Sequence, residues 1–157
     1  MENYVLDFLI PQGPTGPVGP NLPVCFVDYN MATNPKRLSI KETKMFHTNG
    51  EFSVTGDTLS VHAGTYEVTF CGKIDVNQDF QSNITVSLQE SLGGGYFQPV
   101  TGMTMVLMPG TTCMHFSETR IITFNDPEDI VVIITNNNAI SVSATVSMGS
   151  LILKKIE

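Results

Sequence analysis

The sequence predicts an all-β domain built as a sandwich or a jelly roll. Three observations favour this class. Apolar and polar residues alternate with a period of two in many short stretches, Gly, Pro, Asn and Asp separate those stretches, and no segment shows the 3.6-residue period of a helix. About eight to ten strands fit at this spacing, as a two-sheet antiparallel fold requires.

The predicted strands follow one another from residue 22 to the end of the sequence. They are Leu22–Met31, two or three short strands within Met45–Val61, then Thr65–Val76, Ser82–Ser91, Tyr96–Met108, Thr111–Phe124, Ile130–Thr135 and Ile140–Ile156. Asn49-Gly50, Gly56-Asp57 and Gly93-Gly94-Gly95 are turn sequences between them. In the last strand the alternation fails at Gly149, which indicates either a β-bulge or burial of both faces.

The strand at 65–76 has the clearest period of two. One face of it is apolar, with Gly72 at the remaining site, and carries Tyr66, Val68, Phe70, Ile74 and Val76. The opposite face is mostly polar, which is typical of a half-buried antiparallel strand.

Two apolar runs, Ile130–Ile134 and Leu151–Leu153, have no polar face. A sandwich normally leaves its outer faces polar, so one surface of each run needs a cover from outside the sandwich. A neighbouring subunit is the expected cover. The residues that we expect at this subunit interface are Tyr66, Val132, Ile134, Leu151, Ile152 and Leu153.

Residues 13–21 form three Gly-X-Y triplets, beginning at Gly13, Gly16 and Gly19, each Gly followed by Pro. Glycine at every third position is the pattern of a collagen triple helix, which needs three chains. A stiff polyproline spacer without a partner explains the triplets equally well. Three triplets are too few to hold a trimer, so the domain at residues 22–157 must supply the contacts.

Residues 1–12 form an apolar peptide ahead of this spacer. It lacks a positive n-region, Asp7 interrupts it and no cleavage site follows, so we expect no cleavable secretory signal. This peptide either folds back on its own domain or docks on a neighbouring subunit. We favour the second hypothesis. The docking residues would be Tyr4, Val5, Leu6, Phe8, Leu9 and Ile10.

The composition limits the classes of function that this chain can have. The chain has 157 residues, 41% of them hydrophobic and only 15% charged, with a net charge of −7. This length suits one core. The sparse charge suits a subunit that buries its surface against copies of itself, and the acidic balance argues against nucleic acid. No run is long enough to span a membrane as a helix.

We find no catalytic or cofactor-binding constellation in the sequence. His47, His62 and His115 lie in separate segments, the cysteines lack Cys-x-x-Cys spacing, and no Gly-x-Ser-x-Gly motif occurs. We therefore expect neither an enzyme nor a resident metal. The acidic turn Asn125–Asp129 has oxygen ligands that suit calcium, but its spacing is not that of a known calcium loop.

The odd number of cysteines leaves two alternatives open. Cys25 follows the triplets, where chains of a trimer would be close, and Cys71 lies on the polar face of its strand, so these two are the candidates for an intermolecular disulfide. The alternative, which we favour, is three reduced cysteines in a protein made in a reducing cytoplasm.

Two motifs resemble the tumour-necrosis-factor-like superfamily, which includes the complement-type globular heads. One is Leu59–Phe70, with Ala63-Gly64-x-Tyr66 before an apolar strand, and the other is the C-terminal strand Ala144–Ile156. The resemblance covers roughly residues 22–157. It implies a ten-stranded jelly roll that forms a homotrimer, with the last strand near the trimer axis.

Collagen triplets ahead of such a head resemble the collagen-like surface glycoproteins of bacterial spores. Those proteins have long Gly-X-Y repeats and a targeting leader, whereas this chain has only three triplets, preceded by the apolar peptide at residues 1–12. We therefore expect trimers that stack head to tail into a fibre on a spore or cell surface, with an anchoring surface protein as a further partner. The alternative is a trimeric module that binds a protein or glycan through its apical loops, with Tyr96-Phe97 as the exposed aromatic patch.

Overall fold

The computed structural model describes residues 22–30, 32–33, 36–76, 83–108, 112–136 and 144–157, and every element among them is a β-strand. The first seven are β1 (Val24–Tyr29), β2 (Ala32–Thr33), β3 (Lys36–Arg37), β4 (Ile40–Phe46), β5 (Phe52–Thr55), β6 (Thr58–Val61) and β7 (Gly64–Val76). The others are β8 (Ile84–Gly93), β9 (Tyr96–Leu107), β10 (Cys113–Phe124), β11 (Glu128–Asn136) and β12 (Ala144–Lys155).

The strands form two antiparallel sheets. Sheet A has the order β10-β7-β12-β1-β4, and the two-residue strand β2 pairs with β12. Sheet B has the order β5-β6-β11-β8-β9, and the two-residue strand β3 pairs with β11. Apart from the hairpins β5–β6 and β8–β9, neighbours in each sheet are not consecutive in sequence, as in a jelly roll rather than a meander. The predicted all-β jelly roll with ten principal strands is therefore confirmed.

The core lies between the inward faces of the two sheets. The alternation predicted for β7 is correct: Tyr66, Val68, Phe70 and Ile74 are fully buried, and Val76 is 8% exposed. Aromatic rings join the sheets, since Tyr66 packs 5.7 Å from Phe52 of β5, measured between ring centroids.

The predicted turn residues adopt backbone conformations that suit their residue types. Asn49 and Gly50 have φ values of 42° and 88°, and Gly56 has a φ of 59°. These left-handed conformations suit Gly and Asn better than other residues. The irregularity predicted near Gly149 is a shift in the register of β12 against β7 between Val146 and Met148.

One end of the sandwich, which we call the proximal end, is where the chain enters the domain. The first residue of β1, Val24, pairs with Lys154 near the end of β12. The connections between β6 and β7 and between β10 and β11 lie at the same end, because Gly64 pairs with Phe124. The Gly93–Gly95 loop between β8 and β9 also lies there, so its aromatic neighbour Tyr96 is proximal and not at the opposite, apical end.

A polar clasp closes the proximal end between the sheets. The Lys155 ammonium lies 2.7 Å from Glu51 Oε1, with both side chains about four-fifths buried (19% and 22% exposed). The Tyr66 hydroxyl donates to Glu51 Oε2 at 3.2 Å or to the His62 carbonyl at 2.9 Å. The Lys155 hydrogen bond lowers the pKa of Glu51, and burial raises the pKa of Tyr66.

This clasp makes stability depend on pH below neutrality. The folded-state pKa of Glu51 lies below its unfolded value of about 4.3, so the stabilisation is complete above that value and is lost as pH falls through the folded pKa. Glu51→Gln is expected to lower the melting temperature at pH 7, and the gap to wild type should shrink at pH 3. Glu42→Gln is the control, because the Glu42–Lys44 pair is exposed. An equal gap for Glu51→Gln at both pH values would contradict the assignment.

Candidate assembly surface

The outward face of sheet A is a grid of side chains, because residues in register on paired strands point to the same face. We call it the assembly face. From the β4 side to the β10 side, the most proximal row that spans all five strands is Phe46, Val24, Lys154, Glu67 and Ile121. The second row is Lys44, Phe26, Ile152, Thr69 and Thr119, and the third is Glu42, Asp28, Ser150, Cys71 and Ser117.

Large apolar side chains occupy both margins of the assembly face. Phe46 is 51% exposed and Phe26 is 39% exposed, and their rings meet edge to face with centroids 6.0 Å apart. At the opposite margin Ile121 is 68% exposed. A domain that leaves large apolar groups in water on one face offers that face to a partner.

Around Ile152, the centre of the assembly face is lined by hydroxyls, a thiol and the Asp28 carboxylate. Thr69 and Thr119 share a hydrogen bond of 2.8 Å across β7 and β10, and Ser150 donates to Asp28. The Cys71 thiol lies 3.8 Å from the Ser150 carbonyl. These short side chains already satisfy one another's hydrogen bonds within the chain.

The outward face of sheet B is different, because its own chain covers the part of it around β11. Val131 points outward, as its register with Gln89 shows, yet it is fully buried and lies outside the core cluster. Arg37 starts on β3 at the far side of β11 and reaches Phe97 on β9, with Cζ 5.1 Å from the ring centroid. It also donates to Thr58 Oγ1 at 2.6 Å. The Arg37 side chain therefore crosses and covers β11.

These placements correct the choice of interface residues. Five of the six side chains expected at a subunit interface have no exposed surface within the single chain, namely Tyr66, Val132, Ile134, Leu151 and Leu153. They belong to the core between the sheets and cannot reach a neighbour. Only Ile152 points outward, from the middle of the assembly face.

The sequence reasoning missed Phe26, Phe46 and Ile121. A signal was present for Phe26 and for Ile121. Phe26 interrupts the alternation between Cys25 and Val27, and Ile121 stands beside a second isoleucine, so in both places one of two adjacent apolar residues must face outward.

The structure also corrects the disulfide candidates. Cys25 is fully buried, and burial raises the pKa of its thiol to about 12, so it cannot bridge to another chain. Cys71 is half-buried on the assembly face, and Cys113, which was not a candidate, is exposed on β10.

Thiol labelling should follow this order. We expect a maleimide to modify Cys113 of the native protein first and Cys71 more slowly. Cys25 should react roughly a thousandfold or more slowly than Cys113, because it must wait for unfolding of a domain with several kcal/mol of stability. Mass spectrometry of labelled peptides checks this, with Cys113→Ser as the control that removes the fast phase. Rapid labelling of Cys25 would contradict the packing of β1.

The acidic turn at 125–129 lies at the proximal end. Ser60 donates to Asp129 at 2.6 Å, while burial and the neighbouring charges of Glu90, Asp126 and Asp129 raise the pKa of Glu128. Within the described ranges no three His, Cys, Asp or Glu side chains are arranged to hold a metal ion.

The apolar peptide at 1–12 and the triplets at Gly13, Gly16 and Gly19 lie outside the described residues, so their predicted roles stay predictions. Across the part of the chain that the structure describes, no helix has the length and apolarity to cross a membrane.

No protein-family model and no curated protein matches the sequence. Solved structures do match. The chain is similar to Eiger TNF from S. frugiperda, with a TM-score of 0.57, 9% identity and coverage of 88% of this chain and 94% of that one. It is similar to the globular domain of zebrafish complement 1qA, with a TM-score of 0.57, 9% identity and coverage of 87% and 98%. Murine APRIL has a TM-score of 0.56, 12% identity and coverage of 86% and 99%. At such identities the likeness shows the fold, the jelly roll of TNF and complement heads.

Proposed function

We propose that this chain is a structural subunit that forms a homotrimer through the assembly face and does not act as an enzyme. The contrast between its two outward faces carries the proposal. Next to β11 the outward side of sheet B is covered by Arg37 of the same chain, and its exposed apolar side chains, Val106 and Met108, lie at and just beyond the β9 edge, whereas sheet A leaves Phe26, Phe46 and Ile121 exposed at both margins of its face. Covering these side chains with a copy of the same chain removes apolar area at roughly 25 cal/mol per Å².

Threefold symmetry is supported by the sequence ahead of the domain. Three Gly-X-Y triplets pair only as a triple helix of three chains. The triplets join the domain at its proximal end, where β1 begins, so three copies arranged around one axis would bring their triplets together. The resemblance to the TNF-like superfamily implies the same stoichiometry.

We further propose that trimers stack head to tail into a fibre. The apolar peptide at 1–12 would leave one trimer at its proximal end and dock on the next trimer. Such a contact joins two different surfaces and does not close, so it propagates as a filament. The resemblance to collagen-like spore proteins supports a location on a spore or cell surface, with an anchoring surface protein as a further partner.

Light scattering and negative-stain electron microscopy of the full-length protein and of a variant lacking residues 1–12 test these steps together. Trimers from the deletion variant and fibres from the full chain are the expected result. Monomers of the deletion variant at micromolar concentration would overturn the trimer. Isolated trimers from both proteins would overturn the fibre.

Isolated trimers would favour the second candidate function, a binding module. The observation behind it is the loop between β8 and β9, which leaves Leu92 60% and Tyr96 75% exposed at the proximal end. Exposed aromatic side chains at a loop are common anchors for a protein or glycan. Tyr96→Ala would then abolish ligand capture without changing the trimer.

A further inference from the structure

The β5–β6 hairpin forms one margin of sheet B and is joined to the rest of that sheet at a short seam. Residues 59–61 of β6 pair with residues 128–130 of β11, and β5 lies at the edge of the sheet. The hairpin contributes Phe52, Leu59 and Val61 to the core. Opening of the seam would leave part of the β11 edge unpaired, and unpaired strand edges are templates for other chains.

Polar contacts fasten the hairpin at its two ends. At its base, Glu51 comes directly before β5 and forms the clasp with Lys155 at 2.7 Å. At its tip, Arg37 donates to Thr58 Oγ1 at 2.6 Å. The seam lies between these two fastenings, so it is the part of the hairpin whose docking can respond to nearby charge.

A polar pocket of about 310 Å³ opens at the seam. Its polar lining comes from the hairpin and its flank, from β8 and from β11, namely Ser53, Ser60, His62, Ser91, Glu128 and Asp129. Ser60 donates to Asp129 across the seam at 2.6 Å, so Asp129 has a partner on the hairpin. Glu128 is in register with Val61, whose side chain is fully buried, so the docked hairpin shields the Glu128 carboxylate from water.

Glu128 is surrounded by groups of its own charge. Burial raises the pKa of Glu128, and the charges of Glu90, Asp126 and Asp129 raise it further. Glu90 faces it from β8, on the other side of β11, and Asp126 from the turn between β10 and β11. Within the described ranges Glu128 forms no ion pair, and the one titratable base of the pocket is His62.

Protonation of Glu128 favours the closed hairpin. Its folded pKa lies above the unfolded value of about 4.3, so the ionised carboxylate weakens docking above the folded pKa, and this cost disappears as pH falls to the unfolded value. Glu51 has the opposite pKa shift, and its stabilising contribution is lost below about pH 4.3. Docking should therefore be tightest just above about pH 4.3.

We propose that the β5–β6 hairpin is a pH-dependent flap, which closes most tightly on β11 in mild acid and loosens at neutral pH. The flap works within one chain, so it goes beyond the proposed function and does not depend on the trimer. At neutral pH the looser flap would offer the β11 edge at residues 128–130 to a further strand. In mild acid the same edge stays paired with β6.

Hydrogen exchange of the full-length protein, measured by mass spectrometry at pH 5 and pH 7.5, tests the flap. Each exchange rate is divided by the intrinsic rate of the unfolded peptide at the same pH, which gives the opening constant of each segment. For peptides from residues 52–62 we expect a severalfold smaller opening constant at pH 5. The limit is about tenfold for each unit by which the folded pKa of Glu128 exceeds the unfolded value. Peptides from β1 should not show this change.

Three variants assign the effect to Glu128. Glu128→Gln should close the flap at pH 7.5 as tightly as wild type at pH 5 and should remove the pH dependence. Glu67→Gln removes an exposed carboxylate at the proximal end of sheet A, so it is the matched control and should behave like wild type. His62→Gln should keep the pH dependence.

Equal opening constants of the hairpin at the two pH values in wild type would overturn the flap. A pH dependence that persists in Glu128→Gln, or that is lost in His62→Gln, would overturn the assignment to Glu128. Should Glu128→Gln fail to fold, Glu90→Gln gives a second measurement. It removes one neighbouring charge and should reduce the ratio of the two opening constants, so an unchanged ratio would overturn the role of carboxylate repulsion.

Discussion

Replacing Val132 by lysine is expected to unfold the domain. Val132 is fully buried, and its partner across the sheet, Leu88, is fully buried as well. The buried side chains of the described ranges include no carboxylate that could pair with an ammonium group here, and an unpaired buried charge costs about 3–5 kcal/mol or more. Domains of this kind have total stabilities of roughly 5–15 kcal/mol, so the loss is a large part of the folding free energy and removes all of it at the low end of that range.

Circular dichroism and urea denaturation of Val132→Lys measure this effect. Val132→Ala is the matched control, since it removes roughly 2 kcal/mol of apolar burial without adding a charge and should stay folded. The lysine variant should be unfolded at every protein concentration, because the buried charge destabilises each single chain and not the contact between chains. A folded Val132→Lys monomer would contradict the placement of β11 in the core.

Replacing Ile152 by lysine is expected to have the opposite result: a folded domain that no longer forms trimers. Ile152 sits in the middle of the assembly face, between Phe26 and Thr69, and its side chain points away from the core. In the monomer the added ammonium group can reach water. In a trimer it would be placed three times in a desolvated contact, so the trimer should weaken by roughly a hundredfold or more.

Sedimentation equilibrium gives the dissociation constant of Ile152→Lys, and circular dichroism shows that the fold is kept. Ser53→Lys places the same charge on the exposed outward face of sheet B and should leave the trimer unchanged. If Ile152→Lys formed trimers with the same dissociation constant as wild type, the interface would not lie on the outward face of sheet A.

The fold could be predicted because local patterns specify it. The alternation along β7 fixes which side chains face the core, and Asn49-Gly50 and Gly56 mark turns that other residues would strain. These signals are local, so they can be recognised without knowing which strands pair with each other. Their spacing was therefore enough for the all-β class and for a two-sheet arrangement.

The assembly face could not be predicted in the same way, because burial of an apolar run depends on distant partners. The run at Ile130–Ile134 seemed to need a neighbouring subunit, yet its outward side is covered by Arg37, from the short strand β3. An arginine that reaches across a strand and stacks on phenylalanine leaves no periodic pattern. The sequence therefore shows that a cover is needed and not which residue provides it.

The position of β1 has a mechanical consequence. This strand continues directly from the N-terminal segment and is held on both sides, by β12 and by β4, over residues Val24–Asp28. Ladder hydrogen bonds lie perpendicular to the strand, so a pull on the N-terminal segment loads many of them at once instead of opening them one after another. The Lys155 amide adds a further bond at the point of entry, to the Pro23 carbonyl at 2.9 Å. A pull along β1 that is opposed at the far end of the sheets would therefore load these bonds in shear.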